Sequence, residues 1–83
     1  MDWTVYIIRC SDDSLYTGIT TELERRFEEH RANKRGAKYF NGRQALEVVF
    51  REEGHTRSSA SQREAAIKKL SRPQKLDLIA QTA

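Results

Sequence analysis

A chain of 83 residues forms one domain (1–83) with one small core, since chains divide only well beyond this length and no linker-like stretch interrupts it. With 15 Lys and Arg against 12 Asp and Glu, the net charge is +3 and the sequence pI is near 9.3, which favours a phosphate-rich partner over an acidic surface. The single cysteine, Cys10, excludes an intrachain disulfide, and no apolar stretch is long enough for a signal peptide or membrane span, so a cytoplasmic location is the default expectation.

Residues 3–10, Trp-Thr-Val-Tyr-Ile-Ile-Arg-Cys, form a β-branched and aromatic run followed by the turn formers Ser11, Asp12, Asp13 and Ser14. A second run follows at 15–20, and the pair predicts a β-hairpin. Side chains alternate along a strand, so loop length decides whether Tyr6 and Tyr16 share a face. A loop of two or four residues centred on Asp12 and Asp13 separates them, whereas an odd loop or a bulge brings them together. Any shared chemistry requires the odd case.

Thr21 is a good helix cap, with Glu24 three residues on to complete a capping box, and the helix runs to about Ala32. On a wheel at 100° per residue, Leu23 and Phe27 mark the buried direction, with His30 close beside them and Arg26 on the border. Arg25 points the other way. Periodicity therefore selects Arg26, of two adjacent arginines, as the one able to reach a pocket shared with the tyrosines.

Residues 31–43 carry Arg31, Lys34, Arg35, Lys38 and Arg43 with no acid, glycines at Gly36 and Gly42, and the aromatic pair Tyr39 and Phe40. Such a basic loop suits a strand of nucleic acid held by its phosphates with a base stacked on a ring. A solvated loop is the plain alternative. Residues 45–52 alternate Leu46, Val48 and Phe50 against Glu47, Val49 and Arg51, which predicts a third strand with one buried face, ended by Glu53 and Gly54. A second helix is expected over 57–70, capped by Thr56 or Ser58, with an apolar arc of Ala60, Ala66, Ile67 and Leu70. Glu64 sits at the edge of that arc, an unusual place for a carboxylate. Pro73 stops this helix and opens a third, in which Leu76, Ile79 and Ala80 repeat at helical spacing.

Singly, each polar candidate has a structural explanation. Tyr6 and Tyr16 suit strands with a buried ring and an edge hydroxyl. Arg26 has Glu22 and Glu29 within helical reach, His30 complements a helix C-terminus, and Glu64 has Lys68 at i, i+4. A zinc site of Cys10, His30 and His55 matches no ligand spacing, and phosphate loops, dinucleotide fingerprints and serine elbows are absent, so no organic cofactor is expected.

As a set, the residues resemble the GIY-YIG nuclease domain. Thr4-Val5-Tyr6 is followed ten residues after its tyrosine by Tyr16-Thr17-Gly18, then by Arg26, His30 and, on a later helix, Glu64. The likeness covers nearly the whole chain. It is strongest to short bacterial members made of this domain alone, whose Leu-x-x-Arg-x-x-x-His helix and Gly-Ala-Lys-Tyr loop recur at 23–30 and 36–39. The resemblance implies an α+β fold, a three-stranded antiparallel sheet flanked by three helices in the order β-β-α-β-α-α. It also implies a metal-dependent phosphodiesterase site across the sheet. Tyr6 and Tyr16 would be the paired tyrosines, Gly18 a structural glycine at the site, Arg26 the transition-state arginine, His30 the helix residue and Glu64 the ligand of a single Mg²⁺, with Mn²⁺ as a substitute. Thr4 and Val5 depart from the Gly and Ile of the family name. The polar residue that some relatives place about twelve positions after the metal glutamate falls near Gln74, Lys75 and Leu76 and is not assigned.

Phosphodiester hydrolysis needs an activated water, neutralisation of the transition-state charge and help for the leaving oxygen. Making a tyrosine the resting phenolate at neutral pH takes a downward shift of roughly three units, about 4 kcal/mol. The favoured base is Tyr6, oriented by His30 and Tyr16; the alternative is His30, acting directly or through Tyr6. The leading expectation is a Mg²⁺-dependent DNA endonuclease acting on branched, nicked or single-stranded DNA in repair or processing, compatible with a protein partner for targeting. The basic residues Arg31, Lys34, Arg35, Lys38, Tyr39 and Arg43 would contact the nucleic acid. The competing expectations are a non-cleaving nucleic-acid-binding module of the same fold and a protein-interaction domain.

Overall fold

In a computed structural model, which describes residues 2–32 and 42–82, the hairpin is formed by β1 (Trp3–Cys10) and β2 (Leu15–Thr20). Arg9 faces Leu15, Ile8 faces Tyr16 and Tyr6 faces Gly18, so the hairpin is centred on Asp12 alone and residues 10–14, an odd number, lie between the last paired residues. Tyr6 and Tyr16 therefore share a face. Asp12 Oδ1 accepts the Ser14 N–H at 3.1 Å, and Asp13 takes a left-handed φ of 67°, which aspartate tolerates in tight turns.

Helix α1 (Leu23–Ala32) starts later than its expected cap. The Thr20 hydroxyl accepts the Glu22 N–H at 3.1 Å, and the first helical bond runs from Arg26 N–H to Glu22 O. Glu24 binds Arg51 across the fold at 3.2 Å, so the expected Thr21–Glu24 box gives way to a tertiary ion pair.

Strand β3 (Ala45–His55) pairs antiparallel with β1, giving the sheet order β2-β1-β3. It runs three residues past its expected end, because Gly54 adopts a φ of 82° and carries the chain through an irregularity to pair His55 with Trp3. Ile7 pairs with Phe50 but Ile8 with Val48, leaving Val49 as an extra residue; Leu46 is extra in the same way between Glu47 and Ala45. Strict alternation consequently fails. Val48 packs beside Tyr6 and Ile8, Phe50 packs on the opposite face, and Leu46 is 42% exposed instead of buried.

Helix α2 (Arg57–Lys68) is capped by Thr56, whose hydroxyl accepts the Ser59 N–H while the Ser59 hydroxyl accepts the Thr56 N–H. Its buried arc is narrower than expected: Ala60 and Ile67 are buried, Leu70 beyond its end is half-buried and Ala66 faces solvent. Helix α3 (Arg72–Thr82) has Pro73 in its first turn and a reciprocal Ser71–Gln74 cap. Its contact face is Leu78 and Ile79, not the expected Leu76 and Ala80, and Leu76 is 45% exposed. Two packed clusters result. Tyr6, Ile8, Cys10, Leu23 and Ala45 lie between sheet and α1, and Val5, Ile7, Phe50, Ala60 and Ile67 lie on the other face under α2 and α3. Among the described residues no helix is long and apolar enough to cross a membrane.

Candidate active site

Tyr6 stands at the centre of the sheet and is 1% exposed. Its ring lies over its cross-strand neighbour Gly18, where a Cβ would come within 2.5 Å of the Tyr6 hydroxyl and 2.7 Å of Cζ. Only the bare backbone of glycine leaves room for the ring.

Three aromatic rings meet there. The Tyr6 hydroxyl is 3.2 Å from His30 Nε2, the Tyr6 and Tyr16 ring centres are 6.3 Å apart, and Tyr16 meets His30 edge-on at 5.3 Å. His30 is 1% exposed, because the α1 phase that buries Leu23 also turns position 30 toward the sheet. Arg26 arrives from the same helix: its guanidinium lies close enough to the Tyr6 hydroxyl to favour its ionised form, and it pairs with Glu29 at 3.2 Å. Arg25 lies on the outer surface, paired with Glu22 at 2.7 Å.

Burial pulls His30 down to about 4, Arg26 adding to that pull and Glu29 opposing it, so the imidazole is neutral at pH 7. Tyr6 is pushed well above the ordinary tyrosine value, first by burial, then by Tyr16, with Glu64 adding a smaller push and Arg26 pulling back. The chain by itself thus moves Tyr6 opposite to the downward shift a resting phenolate requires. The resting form is a phenol, its hydroxyl 3.2 Å from a nitrogen of the neutral imidazole.

Glu64, one turn of α2 beyond the buried Ala60, is close enough to influence Tyr6 and pairs with Lys68 at 3.2 Å. Among the described residues no group of three or more His, Cys, Asp or Glu gathers at one place. Glu64 offers a metal a donor set of one hard carboxylate. That set suits a single Mg²⁺ keeping most of its water shell, bound through one or two carboxylates, better than it suits zinc.

The structure brings Tyr6, Tyr16, Gly18, Arg26 and His30 together, with Glu64 alongside. It does not leave the basic run without counter-charge: Arg31 pairs with Glu28 at 2.9 Å and lies over Phe27, and Arg43 pairs with Asp12 at 2.6 Å. These acids come from α1 and the hairpin turn, outside the run itself. Lys34, Arg35, Lys38 and Tyr39 lie outside the described residues. The cleft lined by Val48, Val49, Phe50, Arg51 and Thr82 contains none of the site candidates. Sequence reasoning passed over a second acid-free cationic run, Lys68, Lys69, Arg72 and Lys75, whose signal is the gap in acids between Glu64 and Asp77.

The GIY-YIG catalytic domain pattern matches residues 2–77. The chain is 48% identical over 77 residues to the UPF0213 protein DP2720 of Desulfotalea psychrophila, covering 93% of this chain and 70% of that protein. It is 43% identical over 81 residues to the UPF0213 protein YhbQ of Escherichia coli, covering 98% and 80%. A solution NMR structure of the UPF0213 protein BH0048 from Bacillus halodurans has the same fold, with 39% identity, a TM-score of 0.61, and coverage of 96% of this chain and 84% of that one. With its domain matched almost end to end, the chain belongs to the GIY-YIG catalytic domain family.

Proposed function

We propose that this protein is a Mg²⁺-dependent DNA endonuclease that hydrolyses phosphodiester bonds, with selectivity for branched, nicked or single-stranded DNA in repair or processing. The observation that carries the reading is the convergence on the Tyr6 hydroxyl of His30 Nε2 at 3.2 Å and the Arg26 guanidinium, beside the carboxylate of Glu64.

Tyr6 is the group that takes a proton from the attacking water. As it does so, its own proton passes to His30 Nε2, 3.2 Å away, and Tyr16 packs against the imidazole edge to hold it. The hydroxide oxygen forms the new bond to phosphorus and the bond to the leaving oxygen breaks. Arg26 faces the charge that builds on the phosphoryl oxygens, and Glu29 keeps its guanidinium oriented. Glu64 is the residue that would hold the Mg²⁺, which would supply charge neutralisation for the leaving oxygen.

The test is incubation of the protein with nicked, branched and single-stranded DNA, with and without Mg²⁺, against Tyr6→Phe and Glu64→Ala. Cleavage by the wild type alone, abolished by chelation, is the expected result. Equal inactivity of all three proteins on every substrate would overturn the hydrolase; salt-dependent binding without turnover would leave the non-cleaving module.

A further inference from the structure

Charge is divided unevenly along this chain. Two acid-free segments, 31–43 and 68–75, hold nine of the 15 cations, and everything outside them carries six cations against all 12 acids, a net charge of −6. Cations and acids are thus segregated along the chain, although Arg31, Arg43, Lys68 and Arg72 pair with acids from outside the two segments. The second segment forms the α2–α3 junction, where Lys69 and Arg72 are exposed and Lys75 is half-buried.

We propose that this junction is a second contact for a nucleic-acid backbone, with Lys69 and Lys75 on phosphates at the Glu64 side of the site. The inference rests on the proposed nuclease function and extends it to a surface that the basic run at 31–43 does not include.

Position supports it first. Lys68 pairs with Glu64, so the junction adjoins the carboxylate of the site. Arg72 donates to the Asp13 carbonyl at 2.7 Å and to Asp13 Oδ2 at 3.0 Å, fastening the junction to the turn that leads into the strand of Tyr16. Arg72 and Lys68 are thereby engaged in holding the junction. Lys69 and Lys75 have no carboxylate partner among the described residues, whereas Arg9, Arg31, Arg43 and Arg63 each have one and Arg51 has two.

Helix electrostatics does not account for the set. Lys68 and Lys69 complement the C-terminal end of α2, but Arg72 and Lys75 lie in the first turn of α3, where the macrodipole disfavours cations. Nor is the end of α3 itself the binding element, since Ser71 and Gln74 cap it. Clustered cations that work against their own helix and sit beside a phosphodiester site are complementary to a row of phosphates.

The experiment measures binding of fluorescent branched and duplex DNA by anisotropy in EDTA, from 50 to 200 mM KCl. Lys69→Gln/Lys75→Gln is compared with wild type and with Arg9→Gln/Arg57→Gln, which removes the same charge elsewhere; circular dichroism confirms that all three fold. The junction variant is expected to flatten the slope of log K against log salt by about 2 and to weaken binding roughly three- to tenfold at 100 mM, while the control keeps the wild-type slope. An unchanged slope in the junction variant, with a flattened one in Lys34→Gln/Arg35→Gln, overturns this inference and leaves the nuclease reading standing. No salt-dependent binding by the wild type overturns both. A flattened slope in a protein that cleaves nothing supports the junction and removes the hydrolase.

Discussion

The two faces of the sheet are built from alternate residues of the same strand and differ in kind. Val5 and Ile7 of β1 point toward α2 and α3 and pack with Phe50, Ala60 and Ile67 into a mostly apolar layer that holds the buried hydroxyl of Thr17. Tyr6 and Ile8 point toward α1, where the buried set includes the hydroxyl of Tyr6 and the imidazole of His30. Burying a polar group costs free energy unless it is hydrogen-bonded, so the α1 face exchanges stability for positioned chemistry, and the opposite face supplies the stability. Period-two alternation lets one strand serve both purposes.

The sharpest separation is expected at the two adjacent arginines. Arg26→Ala should lower the single-turnover cleavage rate about a thousandfold, roughly 4 kcal/mol, with little change in melting temperature. Arg25→Ala, which loses only an exposed pair with Glu22, should stay within about twofold. Comparable losses in both would show that the guanidinium facing Tyr6 has no special place.

On the apolar face, Ile67→Ala should cost about 2–5 kcal/mol in urea unfolding, the usual range for emptying a fully buried aliphatic site. Cleavage per folded molecule should change less than about threefold. A large loss of rate at full folding would show that the faces are coupled.

His30 contributes a pH dependence on the other face. Its native value is about 4 and its unfolded value near 6.5, so between these the unfolded chain binds more protons and stability rises with pH. Acidification from pH 6.5 to 4 should therefore remove about 3 kcal/mol from this residue alone. Urea titrations of wild type and His30→Gln across that window check the sign, since the variant should show a flatter profile.

The smallest change tests the fit of Tyr6 on Gly18. Gly18→Ala introduces a Cβ that meets the tyrosine ring and hydroxyl below van der Waals distance, so the ring must move. Overpacking of this kind costs about 1–3 kcal/mol, and the displaced hydroxyl should slow cleavage more than it lowers stability. A thermal melt paired with a rate measurement distinguishes the two effects.

Where residues interact with near neighbours in the chain, the sequence was a sound guide. The turn formers at 11–14 mark the hairpin, Thr56 and Pro73 mark helix starts, and the phase of Leu23 and Phe27 turns Arg26 and His30 inward and Arg25 outward. Strand β3 was harder, because extra residues at Val49 and Leu46 are decided by how it pairs with β1, and each reverses the facing of the residues beyond it. The same holds for Arg31 and Arg43, whose counter-charges come from Glu28 and from Asp12 in the hairpin turn.

By itself, the sequence determined the order and type of the elements and the set of residues able to do chemistry, because periodicity, capping and turn formation act over a few residues. Only the tertiary structure decided that the hairpin is centred on Asp12, so that Tyr6 and Tyr16 share a face. It alone also decided that Glu64 stands near enough to push Tyr6 upward, and that burial leaves the resting site a phenol beside a neutral imidazole. Desolvation and the charges of neighbours act through space, and those distances exist only once the chain has folded.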